Sequence, residues 1–129
     1  MKNIKNIKTT ALAYMGDSVY EVYVRKHVME TGVVDANRLH KMGVEYVKAD
    51  AQAYAIKKLF EELSEEEKAL VKRSRNHKTG TKAKNANIIT YKWATAFESL
   101  IGFLYLSDNI ERLEEIVYKT MEVIDEQGR

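Results

Sequence analysis

Two acidic residues stand beside glycines in segments that are rich in apolar residues. Asp17 follows Gly16 in ALAYMGDSVYEVYVR, and Glu98 precedes Gly102 in TAFESLIGFLYL. A glycine inside a helix costs about 1 kcal/mol relative to alanine, so both glycines indicate helices that pack closely. If the two helices cross at their glycines, Asp17 and Glu98 lie near each other at the edge of the core.

Paired carboxylates of this kind are suited to binding a divalent cation. Two neighbouring carboxylates repel each other unless a cation lies between them. Mg²⁺ and Mn²⁺ prefer such oxygen ligands, with water filling the remaining positions. A bound ion can activate water and stabilise charge on a phosphodiester. From the pattern alone, the alternative that both acids are ordinary solvated residues stays open.

The elements that carry these acids have the periodicity of α-helices. Apolar residues recur three or four apart through most of the chain, and Pro is 0, which favours an all-α fold with little or no sheet. The predicted helices cover about 9–30, 35–42, 44–63, 65–73, 89–107 and 108–126. On the first helix, Leu12, Met15, Val19 and Val22 are expected to face the core.

Glycines and capping residues mark where the predicted helices begin and end. Gly32 is expected to end the first helix, and Gly43 is expected to separate the second from the third. Caps are expected at Asp35 and, as capping boxes, at Ser64 with Glu67 and at Asp108 with Glu111.

Composition favours one folded domain over 1–129. The 129 residues are 45% hydrophobic and 31% charged, a balance typical of globular proteins. There is no apolar run of the roughly 20 residues that a membrane span needs, and the start MKNIKNIKTT lacks the apolar stretch of a secretory signal. We therefore expect a cytoplasmic protein without a membrane partner. Cys is 0, so any metal ligands must be oxygen or histidine. No glycine-rich phosphate loop predicts a nucleotide cofactor.

Charge is distributed unevenly along the chain. The net charge is only +2, yet the segment from Lys72 to Lys92, both included, contains seven Lys or Arg residues and no acids. Within this stretch, SRNHKTGTKAKNAN at 74–87 is rich in turn-forming residues and predicts a long exposed loop. Loops longer than about 12 residues in compact domains are often functional.

These motifs resemble those of a known enzyme family. The segment LAYMGDSVYE resembles the signature helix of the ribonuclease III catalytic domain, and TAFESLIGFLYL resembles its second acidic helix. The order and spacing of the two motifs agree with the family. The compact length, the basic segment RSRNHKTGTKAKN and the lack of a double-stranded-RNA-binding domain after Arg129 are similar to its Mini-ribonuclease III branch. The resemblance covers nearly the whole chain.

The resemblance implies a catalytic pair. It assigns the catalytic and metal-binding roles to Asp17 and Glu98, with Mg²⁺ as the cofactor and Mn²⁺ as a substitute. Full-length enzymes of the family carry two further acids where this chain has Ala13 and Thr95, so the remaining ligands and the number of ions stay open.

Glu21 lies one helical turn beyond Asp17 and has two interpretations. It is a candidate ligand acting through water, or it pairs with Arg25. The two alternatives stay open at this point.

The resemblance also implies a ribonuclease III-like helical bundle that forms a homodimer, with Tyr14 at the dimer contact. The alternative for Tyr14 is an ordinary core position. Two sites related by a two-fold axis can each cut one strand of a duplex, leaving a 5′-phosphate and a 3′-hydroxyl. The implied substrate is double-stranded RNA, in particular precursor ribosomal RNA (23S).

Contacts to this RNA are expected from the basic segment, because basic and amide side chains bind phosphates and 2′-hydroxyls. The candidates are Arg73, Arg75, Asn76, Lys78, Lys82, Lys84 and Asn85. The alternative function is a non-catalytic helical module that binds double-stranded RNA.

Overall fold

The computed structural model describes residues 3–78 and 87–128, and these residues form helices and no strand. The α-helices are α1 (Thr9–Met29), α2 (Ala36–Val47), α3 (Ala49–Leu59), α4 (Glu65–Arg75), α5 (Asn87–Leu106) and α6 (Ile110–Gln127), with short 3₁₀ helices at Ile4–Asn6 and Phe60–Glu62. The prediction of an all-α fold is confirmed. None of the helices in these ranges has the length and apolar character needed to cross a bilayer.

Helix α5 is the centre of the packing. It contacts α1, α3, α4 and α6, and its most extensive partner is α1. The core between these helices is built from large aliphatic and aromatic side chains. Its fully buried members include Leu12, Tyr20, Val24, Ile56, Val71, Phe97, Leu100, Ile101, Leu104, Leu113, Ile116 and Val117. This packing fixes α5 on several sides, so a side chain on α5 has a well-defined position.

The predicted capping box at the start of α4 is present and has a second use. The Ser64 side chain accepts a hydrogen bond from the Glu67 backbone N–H (3.1 Å), and the Ser64 backbone N–H donates to the Glu67 carboxylate (2.8 Å). The same carboxylate accepts from Nε and Nη2 of Arg112 on α6, at 2.9 and 2.8 Å. Two oxygens of one buried acid therefore cap α4 and join it to α6.

Gly43 does not interrupt a helix, so the predicted boundary there is wrong. Helix α2 continues through Gly43 to Val47, and the chain turns instead at Lys48, which is extended (φ −62°, ψ 150°). Gly43 lies against Val24 of α1 with ordinary van der Waals space around it. Packing of α2 on α1 thus outweighs the low helix propensity of one glycine. The predicted helix over 44–63 is divided accordingly between α2, α3 and a 3₁₀ turn.

Two other predicted helix ends are confirmed, and one cap is misplaced by a residue. Gly32 follows α1 with φ +88°, a conformation that favours glycine, and Asp35 accepts a hydrogen bond from Arg38 N–H at 3.0 Å. At α6, however, the side chain that caps the helix is that of Asn109, which accepts from Arg112 N–H (3.4 Å). Asp108 lies in the left-handed region (φ 60°), so its side chain does not form the expected capping box.

Candidate active site

Helices α1 and α5 cross with their backbones in contact at two glycines. A Cβ atom built on Gly16 would lie 1.8 Å from the carbonyl oxygen of Glu98, and one built on Gly102 would lie 1.9 Å from the carbonyl oxygen of Leu12. No side chain fits at either position. The two helices therefore approach as closely as their backbones allow, which is the reason for the glycines that their sequence context predicted.

This crossing brings Asp17 and Glu98 together. Asp17 follows Gly16 on α1 and is exposed, whereas Glu98 on α5 is half-buried. Both carboxylates line one shallow pocket, and the negative charge of Asp17 acts directly on Glu98. The adjacency that the sequence predicted only conditionally is thus a feature of the fold.

A buried amide on α3 holds the second acid. The Gln52 side chain is 2% exposed, and its Nε2 donates to the carbonyl oxygen of Val47 (3.0 Å) and, over a longer distance of 3.5 Å, to Oε2 of Glu98. Its partner at the end of α2 orients the amide toward α5. Gln52 therefore restricts the rotation of the Glu98 carboxylate.

The environment of Glu98 favours its protonated form. Burial and, next, the negative charge of Asp17 raise the pKa of Glu98 to about 8, with a further contribution from its hydrogen bond to Asp17, while the hydrogen bond from Gln52 acts in the opposite direction. A proton on Glu98 relieves the repulsion between the two carboxylates. A divalent cation held by Asp17 and Glu98 would also relieve this repulsion, so the chemistry of this donor set fits such an ion.

The surroundings of the two acids are sparse in further ligands. Ala13 and Thr95 line the same pocket, at the positions where the resemblance implies additional acids in full-length enzymes. The Thr95 hydroxyl donates to the Tyr91 carbonyl oxygen at 2.9 Å. Within 3–78 and 87–128, no group of three or more His, Asp or Glu side chains is placed to hold a metal.

The raised pKa of Glu98 predicts a specific dependence of stability on pH. In chelator, the folded state holds its proton up to about pH 8, whereas the unfolded chain releases it near 4.5. The contribution of Glu98 to folding is therefore fully present below pH 4.5 and is lost as the pH rises through 8. We expect Glu98→Gln to raise the melting temperature at pH 8.5 and to leave it nearly unchanged at pH 4.5.

The measurement is thermal unfolding of wild type and variant across this pH range in chelator. Glu122→Gln, which removes an exposed carboxylate on α6, is the control and should follow the wild type. Parallel pH profiles for wild type and Glu98→Gln would contradict the assignment of a half-buried, protonated Glu98.

The other predicted residues of α1 lie outside this pocket or at its edge. Glu21 pairs with Arg25 at 3.2 Å and lines a separate depression between α1 and α2, so the structure does not bring it to the two acids. Tyr14 is at the edge of the acidic pocket and is 82% exposed. It is thus a surface residue of this chain and not a core residue.

The predicted RNA-binding residues are divided by the limits of the described chain. Arg73 and Arg75 are in the last turn of α4, and Asn76 and Lys78 follow it, with all but the half-buried Arg75 exposed. Lys82, Lys84 and Asn85 lie outside the described residues.

Sequence reasoning did not identify the polar residues behind the acids. The Ser99 hydroxyl, which is 0% exposed, lies 2.8 Å from the Ser74 hydroxyl of α4 and 2.8 Å from the Thr9 carbonyl oxygen of α1. This contact joins three helices next to Glu98. The available signal was a polar residue on an otherwise apolar helical face, which also describes Gln52 in ADAQAYA.

Comparison with known proteins gives one consistent result. Residues 10–109 match the Ribonuclease III domain family. The chain is 42% identical to Mini-ribonuclease 3 of Clostridium tetani, covering 99% of this chain and 85% of that protein, and 49% identical to Mini-ribonuclease 3 of Brevibacillus brevis, covering 88% and 85%. A crystal structure of a protein from Fusobacterium nucleatum is similar, with a TM-score of 0.81, 31% identity and coverage of 95% and 98%.

Proposed function

Because this chain belongs to the ribonuclease III family, in its Mini-ribonuclease III branch, we propose that it is a metal-dependent endoribonuclease that cleaves double-stranded RNA. One observation carries the proposal: Asp17 and Glu98 share a pocket at the point where α1 and α5 cross. Both family membership and this pair of acids point to hydrolysis of a phosphodiester.

The two acids have different tasks in the proposed reaction. Asp17, which is exposed, offers its oxygens to the solvent side of the pocket, where the scissile phosphate arrives. Glu98 is held from behind by Gln52 and fixes the inner side of the ion site. When bound, Mg²⁺ or Mn²⁺ supplies activation of water and stabilisation of negative charge on the phosphate. Water adds a hydroxyl group to phosphorus, the bond to the 3′-oxygen breaks, and that oxygen takes the proton. The products end in a 5′-phosphate and a 3′-hydroxyl.

Positive charge near the end of α4 supports RNA as the substrate. Arg73, Asn76 and Lys78 are exposed there, with Arg75 half-buried among them, and the sequence continues with Lys82, Lys84 and Asn85. A-form RNA is recognised largely through its phosphates and 2′-hydroxyls. A basic and amide-rich surface therefore suits the backbone of an RNA duplex and does not require a particular base sequence.

An exposed apolar stripe on α1 supports a homodimer. Tyr14, Val22 and Met29 are 82%, 66% and 60% exposed, although Val22 was expected to face the core. Their spacing places them on one side of α1. A two-fold partner over this stripe would bury it and set two pairs of acids against the two strands of one duplex.

The natural substrate and the location of the protein are further parts of the proposal. The relatives named Mini-ribonuclease 3 favour processing of a structured RNA, with precursor ribosomal RNA (23S) as the candidate and the cytoplasm as the location. The proposed partners are RNA and a second copy of the chain.

The test is incubation of the purified protein with an end-labelled RNA duplex, with Mg²⁺ or with chelator. We expect cuts in both strands only with the metal, with 5′-phosphate and 3′-hydroxyl ends detected by phosphatase and ligase treatment of the products. Binding of several duplexes without metal-dependent product would instead favour the non-catalytic RNA-binding module.

A further inference from the structure

A group of cations lies over aromatic rings on the surface where α3, α4 and α5 meet. The ammonium group of Lys57 is 5.6 Å from the centre of the Trp93 ring, and the guanidinium group of Arg75 is 4.9 Å from it. The ammonium group of Lys72 is 5.7 Å from the centre of the Phe60 ring, which meets the Trp93 ring edge to face at 6.2 Å. We call these five residues the cation–aromatic strip.

The charges of this strip are not neutralised by acids. In the described part of the chain, no carboxylate forms an ion pair with Lys57, Lys72 or Arg75, whereas Lys48 pairs with Glu45 at 3.1 Å and Lys119 with Glu62 at 3.0 Å. Lys68 also lies over Phe60, but it pairs with Glu61 at 3.6 Å and is therefore left out of the strip. Three cations from two helices thus keep their full charge on one surface.

Aromatic contacts give these cations a defined position without using their hydrogen-bonding capacity. A ring face attracts a cation but accepts no full hydrogen bond from it, so these contacts leave N–H groups available to an anion. Of the Arg75 N–H groups, Nε donates to Asn76 Oδ1 at 3.1 Å. Lys57 and Lys72 are exposed, and Arg75, Phe60 and Trp93 are half-buried. This arrangement lowers the entropy that long side chains lose when they bind a phosphate.

The strip adjoins the basic end of α4 and lies on the other side of α5 from the acidic pair. Gln52 of α3 contacts Glu98 of α5, and five residues further along α3 and back along α5, Lys57 contacts Trp93. Five residues correspond to about 7.5 Å along a helix axis and to a rotation of about 140° around it. Trp93 is therefore on the side of α5 opposite to Tyr91 and Thr95, which line the acidic pocket, and Arg75 connects the strip with the basic end of α4.

We propose that the cation–aromatic strip binds backbone phosphates of the RNA duplex away from the cleavage site, as a continuation of the basic surface at the end of α4. This inference rests on the proposed function and extends its RNA-binding surface to Lys57 and Lys72. The open depression adjoining Lys57 includes Lys58 and Thr90, with Asp50 as its single carboxylate.

The experiment measures duplex binding in chelator over a series of salt concentrations. The variant is Lys57→Gln with Lys72→Gln, which keeps the aliphatic contacts with the rings and removes two charges. The matched control is Lys48→Gln with Lys119→Gln, which removes the same charge from lysines that acids already neutralise. For a B-form duplex, each phosphate contact contributes about 0.9 to the magnitude of the slope of log K against log salt. We therefore expect the slope of the strip variant to be smaller in magnitude than that of the wild type by about one to two. The slope of the control should match that of the wild type.

The outcomes separate this inference from the proposed function. If the strip variant and the control give the same slope while the wild type binds and cleaves the duplex, the strip is not an RNA contact and the proposed function stands. A wild type that neither binds nor cleaves duplex RNA overturns both. Circular dichroism and melting curves for each variant confirm that binding is compared between folded proteins.

Discussion

Replacement of Asp17 by asparagine is expected to lower metal-dependent cleavage of duplex RNA by roughly 10³-fold or more while the fold is retained. Asp17 is exposed, so the change removes a charge and leaves the packing of α1 intact. The amide cannot hold a divalent cation as a carboxylate does, and only one other acid is present in the pocket. The measurement is the initial cleavage rate at saturating Mg²⁺, together with the melting temperature.

The control for this prediction is Glu30→Gln, which removes the same charge from an exposed residue immediately after α1. It should cleave at nearly the wild-type rate. Duplex binding by Asp17→Asn should persist in chelator, because the proposed phosphate contacts are elsewhere. If the initial cleavage rate of Asp17→Asn were within tenfold of the wild-type rate, the assignment of Asp17 to the active site would be wrong.

The second large effect is expected for Gly16→Ala. Its new Cβ atom would lie 1.8 Å from the backbone oxygen of Glu98 and 2.8 Å from the backbone nitrogen of Gly102. Because the backbone of α5 must move away from α1, we expect a loss of about 3 kcal/mol or more in the free energy of unfolding. Cleavage should fall as well, since the displacement separates Asp17 from Glu98. Chemical denaturation and the cleavage rate measure the two effects.

Gly43→Ala provides a matched control in a neighbouring helix. Its Cβ atom would meet nothing closer than Val24 Cγ1 at 3.6 Å, so the substitution should stabilise α2 by up to about 1 kcal/mol. If Gly16→Ala were as stable as Gly43→Ala, the close contact between α1 and α5 would be wrong, and with it the geometry of the acidic pair.

The acidic pair was accessible from the sequence because two glycines had no local explanation. Gly16 and Gly102 each reduce helix stability, so a helix that retains them needs a close partner. The prediction for Gly43 was wrong, because a helix break was expected there and α2 continues through it. The three glycines have the same local propensity, and only the packing around each of them decides its role.

Contacts between distant elements could not be predicted in the same way. Gln52 reaches Glu98 only because α3 packs on α5, and nothing in the residues next to Gln52 specifies that neighbour. The residue that caps α6 could not be predicted from its neighbours in the sequence either. Asp108 and Asn109 are both good capping residues, and the left-handed backbone at Asp108 assigns the role to Asn109.

The crossing of α1 and α5 has a consequence for the order in which the protein matures. The acids lie in the first and the fifth helix, and contacts between residues so distant in sequence form slowly, because a long loop must close first. A chain that has emerged only as far as α4 contains Asp17 but neither Glu98 nor the glycine against which α1 packs. On the proposed function, a nascent chain or a fragment lacking α5 therefore cannot cut RNA, and the ability to cut arises together with the closure of the fold.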